Sequence, residues 1–294
     1  MKEVLAKLLL AATSTVPLGI ARALARGVAR ILLWTGSSSA LRVTRRNLSL
    51  TCPDLSDTER GLLLQRSLES TFMTALEMPI IWRKDNVWIN AKIHRIHNEQ
   101  LVEEALASGR GVIALCPHIG NWEVFGRKLA EYGPTTSLYQ PPKFSYLEEI
   151  VRRGRESSGA TLVPTSARGI AQIIKALNRG EITGILPDQQ PAKGSGLYVP
   201  FMGMPAYTMT LIHRLLQKTN SLALLGYCIR TKEGFEIIFK PVDEAIYSED
   251  KFESIAALSQ AVELSLEEDF AQYQWAYKRF RRQPDGSKPY RDRL

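Results

Sequence analysis

GVIALCPHIGNWE, residues 111–123, is the stretch whose reading decides the fold. Its first half, Gly111–Cys116, is a short apolar run with β-branched residues, the pattern of a strand buried on both faces. Its second half turns through Pro117-His118-Ile119-Gly120, and Asn121 is placed to cap a helix over Trp122–Tyr132. In α/β sheets ligands collect beyond the C-terminal ends of the strands. The His at this strand end and the Glu in the following helical turn therefore stand at the address of a site. His118 can act as a general base, with Glu123 across the turn to fix its tautomer. Glu123 can equally be an acid placed favourably at a helix N-terminus, and the residues alone leave both readings open.

Working outward, the same alternation continues. Strands are predicted over 135–139, 160–163, 182–186, 222–229 and 235–239. Helices are predicted over 57–77, closed by Pro79, and over 98–108, 147–158, 167–178, 207–218 and 254–268. Residues 194–205, rich in Gly and Pro, read as a loop. Together these predict one mixed, mostly parallel α/β sheet flanked by helices, with an antiparallel edge. No linker divides the body.

The chain has 294 residues, 45% of them hydrophobic and 23% charged, which excludes disordered and collagenous classes. Its three cysteines, Cys52, Cys116 and Cys228, are too few and too scattered for a disulfide framework or a zinc knuckle. Net charge is +8, and the excess sits at the ends: residues 1–46 hold eight Lys/Arg against one acid, and residues 276–294 seven against two. Basic ends around a mildly acidic body suit an anionic surface. The chain has no helix-turn-helix, RNP or zinc module, so nucleic acid is not the expected partner.

From Leu8 to Ala21 there is no charge, but 14 residues broken by Pro17 fall short of the roughly 20 needed to span a bilayer. Arg22, Arg26 and Arg30 then recur every four residues, forming one helical stripe. Leu24, Val28 and Ile31 lie largely elsewhere, and Trp34 stands at the end. The expectation is an amphipathic, membrane-associating helix in residues 1–36, ahead of an α/β domain over 37–294. A core helix and a cleaved signal peptide are the competing readings.

Further along stand Arg152-Arg153-Gly154-Arg155, then Leu186-Pro187-Asp188-Gln189, then Val199-Pro200-Phe201-Met202-Gly203-Met204-Pro205-Ala206, and finally QYQWAYKRFRRQPDG from Gln272. With HIGNWE and Arg46-Asn47-Leu48, this ordered set resembles the lipid A biosynthesis acyltransferases, the late acyltransferases of lipopolysaccharide assembly, from about residue 40 to 288. The resemblance implies a glycerolipid acyltransferase-like fold and a catalytic pair, His118 and Glu123, of the H-x4-D/E type. His118 would deprotonate a lipid hydroxyl, oriented by Glu123. Arg155 and Arg168 would contact substrate anions, Asp188 would hold that region together, and Asn121 belongs to the same substrate-binding turn. The implied donor is an acyl thioester on acyl carrier protein or coenzyme A, with no metal or other cofactor. The implied partners are that carrier protein, a membrane lipid acceptor and the cytoplasmic face of the bacterial inner membrane. Relatives with this pair acylate aminolipids, phosphoinositide mannosides or lysophospholipids, so the acceptor is open between these and a lipid A precursor. A non-catalytic lipid-binding relative is the remaining alternative.

Other residues have simpler readings. His94 and His97 lack companions for a metal and read as surface or packing residues. His213 sits in an apolar helical run. Cys116, on a buried strand, reads as an inert thiol, and no GxSxG elbow marks a serine hydrolase.

Overall fold

The computed structural model describes residues 14–142 and 145–291. The first six residues of the apolar run beginning at Leu8 lie outside the described residues. The elements in chain order are α1 (Leu18–Thr35), α2 (Ser39–Thr51), α3 (Asp57–Ile81), α4 (Asn86–Asn90), β1 (Ile93–His97), α5 (Gln100–Ala107), β2 (Val112–Leu115), α6 (Trp122–Tyr132), β3 (Thr136–Tyr139), α7 (Ser145–Glu156), β4 (Thr161–Pro164) and α8 (Ala167–Asn178). They continue as β5 (Ile182–Ile185), β6 (Gly196–Phe201), β7 (Met204–Met209), α9 (Leu211–Lys218), β8 (Leu222–Arg230), β9 (Phe235–Lys240) and α10 (Lys251–Leu266).

The central sheet has five strands in the order β1-β9-β8-β2-β5. β2 pairs in parallel with β5 and β8, and β1 with β9, while β8 and β9 are antiparallel. The sheet is thus mixed and mostly parallel, as the alternation predicts, but its antiparallel pairing lies inside rather than at the edge. It is also not single. β3 and β4 form a separate parallel pair, tied to the central sheet through a bridge between Thr135 and Ile182.

β2 shows why its run is apolar throughout. Val112 and Ala114 point into one core cluster, with Phe125, Leu129 and Phe239. Ile113 and Leu115 point into the other, with Leu225, Leu258 and Val262. A strand's side chains alternate between faces, and helices cover both faces here.

Three sequence expectations are corrected. Residues 194–205 are not a loop: β6 and β7 form an antiparallel hairpin, so the helix expected from Tyr207 starts at Leu211. The turn lies at Met202-Gly203, both with positive φ. Pro79 does not close α3, which runs on to Ile81. A proline in the final turn forfeits one backbone bond, and Ile80 and Ile81, wholly buried, hold that turn in place. His94 and His97 lie on β1, a strand the pattern did not suggest, and His97 pairs with Glu236 of β9 at 2.8 Å.

The N-terminal helix splits the competing readings between its faces. Ala21, Ala25 and Ala29 are buried, while Ile20, Leu24, Val28, Ile31 and Trp34 are exposed. The expected solvated Arg stripe is wrong at its first member. Arg22 is buried, its Nε 2.6 Å from Glu77 of α3. Among the described residues no helix is long and apolar enough to cross a membrane.

Candidate active site

The turn after β2 is fixed from both sides. Gly120 has φ +57°, and a Cβ there would stand 1.9 Å from the Cys228 carbonyl oxygen, so only glycine fits. Its N–H donates to the Gln272 carbonyl, and the N–H of Gln274 donates to the His118 carbonyl at 2.9 Å. The C-terminal QYQWAY segment therefore runs antiparallel beside the His118 turn, with an isolated bridge between Ile119 and Tyr273. That segment is held by Asn47, whose amide donates to the Trp275 and Tyr277 carbonyls. The distant Arg46-Asn47-Leu48 and QYQWAY motifs thus form one scaffold.

The imidazole of His118 meets Asp188, not Glu123. Nδ1 lies 2.7 Å from Asp188 Oδ1, and the His118 backbone N–H donates to Oδ2 at 2.9 Å. Asp188 follows β5 as His118 follows β2, and the two strands are parallel neighbours. The sheet therefore delivers both side chains to one place. Burial works against ionisation of Asp188, but the His118 ring and its hydrogen bonds hold the carboxyl below its ordinary value. The carboxylate accepts the Nδ1 proton, which leaves the Nε2 lone pair outward. Gln189 Nε2 occupies that position at 3.2 Å and donates onward to Gln274 Oε1 at 3.0 Å. Trp122 packs edge-on to the ring, centroids 4.8 Å apart. The His118 side chain is 12% exposed and Asp188 2%, so the imidazole is reachable and the carboxylate is not.

Glu123 forms a second pair. Arg155 grips it with both ends of its fork, Nε to Oε2 at 3.0 Å and Nη2 to Oε1 at 2.5 Å, and Trp82 Nε1 donates to Oε2 at 2.9 Å. Burial pushes the Glu123 carboxyl up; Arg155, Trp82 and the nearby His118 more than offset this and hold it below its usual range. Gly154 explains how α7 comes so close: a Cβ there would sit 2.6 Å from Trp82 Cβ. The resemblance has Glu123 orient His118, but the carboxylate in contact with the imidazole is that of Asp188. Glu123 instead anchors Arg155.

The remaining candidates separate. Asn121 is wholly buried, capping α6 through Val124 N–H and donating to Glu77 at 3.0 Å, so it builds the turn and does not reach a substrate. Arg168 is exposed in the first turn of α8 and does not line the cavity described next. That cavity opens beside Glu123 and Arg155. Trp122, Gly126, Leu129, Leu138, Leu162 and Leu186 make most of its wall apolar, and its open volume is about 80 Å³. Cys116 also lines it, with a thiol pushed well up by burial, as expected of an inert group.

Sequence reasoning missed several supporting residues. Trp82 carried no signal beyond its place near the end of a helix. Tyr273 is buried against Asp188, its phenol pushed well up first by burial and then by that carboxylate. Glu77 is wholly buried between Arg22 and Arg230, with Arg230 Nη2 at 2.8 Å. Burial would raise its carboxyl, yet Arg230, Arg22 and Asn121 hold it low.

Comparisons with known proteins bear on the family of the whole chain. The family model for bacterial lipid A biosynthesis acyltransferases matches residues 3–282. A lipid A biosynthesis acyltransferase of Haemophilus influenzae is 25% identical over 253 residues, covering 84% of this chain and 79% of that protein. The Escherichia coli lipid A biosynthesis lauroyltransferase is 23% identical, covering 83% and 80%. The palmitoleoyltransferase of the same organism is also 23% identical, covering 83% and 79%. A family model matched over nearly the whole sequence settles the kinship: the chain belongs to the bacterial lipid A biosynthesis acyltransferases.

Proposed function

We propose that the protein transfers a fatty acyl chain from an acyl carrier protein thioester to a hydroxyl of a lipid A precursor, at the cytoplasmic face of the inner membrane, with His118 as general base. The observation that carries this is the His118–Asp188 pair with its Nε2 turned to a reachable position. The acceptor hydroxyl takes the place of the Gln189 amide and gives its proton to Nε2. Its oxygen bonds to the thioester carbonyl carbon. The tetrahedral intermediate expels the carrier's sulfur, which takes the proton back from the imidazolium. The products are a lipid ester and a free thiol, and Asp188 steadies the transient positive ring without itself being protonated. Arg155, locked on Glu123, lends its positive charge to the carbonyl oxygen as negative charge develops there.

The apolar cavity beside Arg155 is the place for the acyl chain. As it stands it takes a short part of one, and a longer chain must part Leu129, Leu138 and Leu162. Gly126 supports this reading. It sits in mid-helix, where Ala would be favoured by roughly 0.5–1 kcal/mol, and no atom lies within 4 Å of a Cβ built there. Packing does not demand glycine; keeping the cavity clear does. The exposed apolar stripe of α1, Ile20, Leu24, Val28 and Ile31, suits shallow insertion at the bilayer interface.

Mass spectrometry of the lipid product tests both parts. Incubating the purified protein with acyl carrier thioesters of mixed length and a lipid A precursor is expected to add the mass of one acyl chain. Gly126→Leu is expected to fold normally and shift that increment to shorter chains. Absence of any increment with the wild type would refute the transfer; an unchanged chain distribution in Gly126→Leu would refute the cavity assignment.

A further inference from the structure

On the far side of the His118 turn from the apolar cavity, a groove of about 290 Å³ runs between α1, α3 and the β8–β9 turn. Five cationic side chains line it, Arg22, Arg26, Arg66, Arg230 and Lys232, against two carboxylates, Glu69 and Asp269. Two of the cations form the floor. Arg22 and Arg230 are buried and pinned by Glu77, and Arg22 also donates to the Thr231 and Gly234 carbonyls. Arg66 is paired with Asp269 at 3.1 Å. Arg26 and Lys232 make no ion pair among the described residues, so the rim keeps uncompensated positive charge.

Two observations bear on the occupant. Arg26 and Leu24 are two positions apart, which at 3.6 residues per turn places them about 160° apart around the α1 axis. If the apolar stripe of α1 lies in the bilayer interface, the groove is turned toward water rather than lipid. The groove also communicates with the base. Gln272 lines it, and Gln274, two residues on and about 7 Å along an extended chain, completes the shell of His118 through Gln189. Arg230 Nη2 lies 3.4 Å from the Gly120 carbonyl oxygen in the same turn.

We infer that this groove docks the acidic carrier protein that brings the acyl thioester, with half-buried Arg26 and exposed Lys232 as its contacts. The inference rests on the proposed carrier-dependent transfer. Carboxylates of the carrier meet the rim while its thioester arm passes the Gln272–Gln274 segment toward His118. Charges at such a rim set association rate and salt dependence more than they set the chemical step.

The test is the double reversal Arg26→Glu/Lys232→Glu, assayed with two donors, acyl carrier protein and acyl-coenzyme A, and by titration with the holo carrier protein alone. The expected result is a rise on the order of tenfold or more in KM for the carrier-borne donor, with kcat retained. The wild type's salt dependence of that KM should largely disappear in the variant, and transfer from acyl-coenzyme A should be unchanged. Equal losses with both donors, or no change with the carrier, would overturn the inference. Loss of binding to anionic phospholipid vesicles with an unchanged carrier KM would do the same, and would assign the groove to lipid headgroups. The carrier titration separates the two levels of the argument: a wild type that binds carrier at this rim but transfers no acyl chain refutes the proposed function and leaves the docking surface standing.

Discussion

Asp188→Asn is expected to lower the rate of acyl transfer by about 10²- to 10⁴-fold, with the fold retained. The carboxylate fixes the proton on Nδ1 and so leaves Nε2 free to accept one. An amide in its place can present an N–H to Nδ1, which drives the proton to Nε2 and removes the base. The amide also gives up the charge that steadies the imidazolium. Glu123→Gln is the informative comparison, because it leaves the His118–Asp188 contact intact and weakens only the anchor of Arg155. Its loss should be the smaller of the two. The reverse ranking, with Glu123→Gln crippling and Asp188→Asn mild, would return the orienting role to Glu123. Initial rates with saturating donor decide between them.

Glu77→Ala is expected to destabilise the fold by roughly 3–5 kcal/mol, because it strands two buried guanidinium groups without their counter-ion. For a domain of this size that corresponds to a fall in Tm on the order of 10 °C. The damage should reach the active site, since Asn121 and the Gly120 turn hang from the same cluster. The pH dependence has a defined sign. Glu77 is held below its unfolded value, so its contribution is fully present above the unfolded carboxylate range and is lost as pH falls through the folded value. The gap in stability between wild type and Glu77→Ala should therefore be widest near neutrality and narrow below about pH 4. Thermal melts at several pH values measure this, and a Tm within a degree or two of wild type would remove Glu77 from the account.

Much of the fold was legible because local physics and tertiary structure agree. The β2 run, the Asn121 cap and the α8 boundaries follow from hydrophobic period and capping chemistry, and each is where the pattern put it. Where composition and structure disagree, tertiary pairing prevails. Gly and Pro between residues 194 and 205 suggested a loop, yet cross-strand pairing from Gly196 to Met209 makes a hairpin. Arg22 reads as a solvated member of a stripe, because nothing nearby in the chain announces Glu77, 55 residues away.

The site was half legible for the same reason. His118 and Glu123 share one turn, and the eye pairs neighbours. The partner that holds the imidazole comes from 70 residues downstream, brought in by the parallel pairing of β2 with β5. A strand-end acid such as Asp188 can be recognised in sequence, but which histidine it faces depends on strand order. Trp82, Gln189 and Tyr273 act through contacts with residues far away in the chain, and no spacing rule points to them.

The most direct test of the account is single-turnover acyl transfer by purified His118→Ala, with a carrier-borne thioester and a lipid A precursor. The expected result is intact binding of both substrates, a native-like thermal melt and no lipid ester formed on the time scale of wild-type turnover. Formation of the ester by His118→Ala at a rate near that of the wild type would contradict the central claim, because a group other than His118 would then be taking the hydroxyl proton.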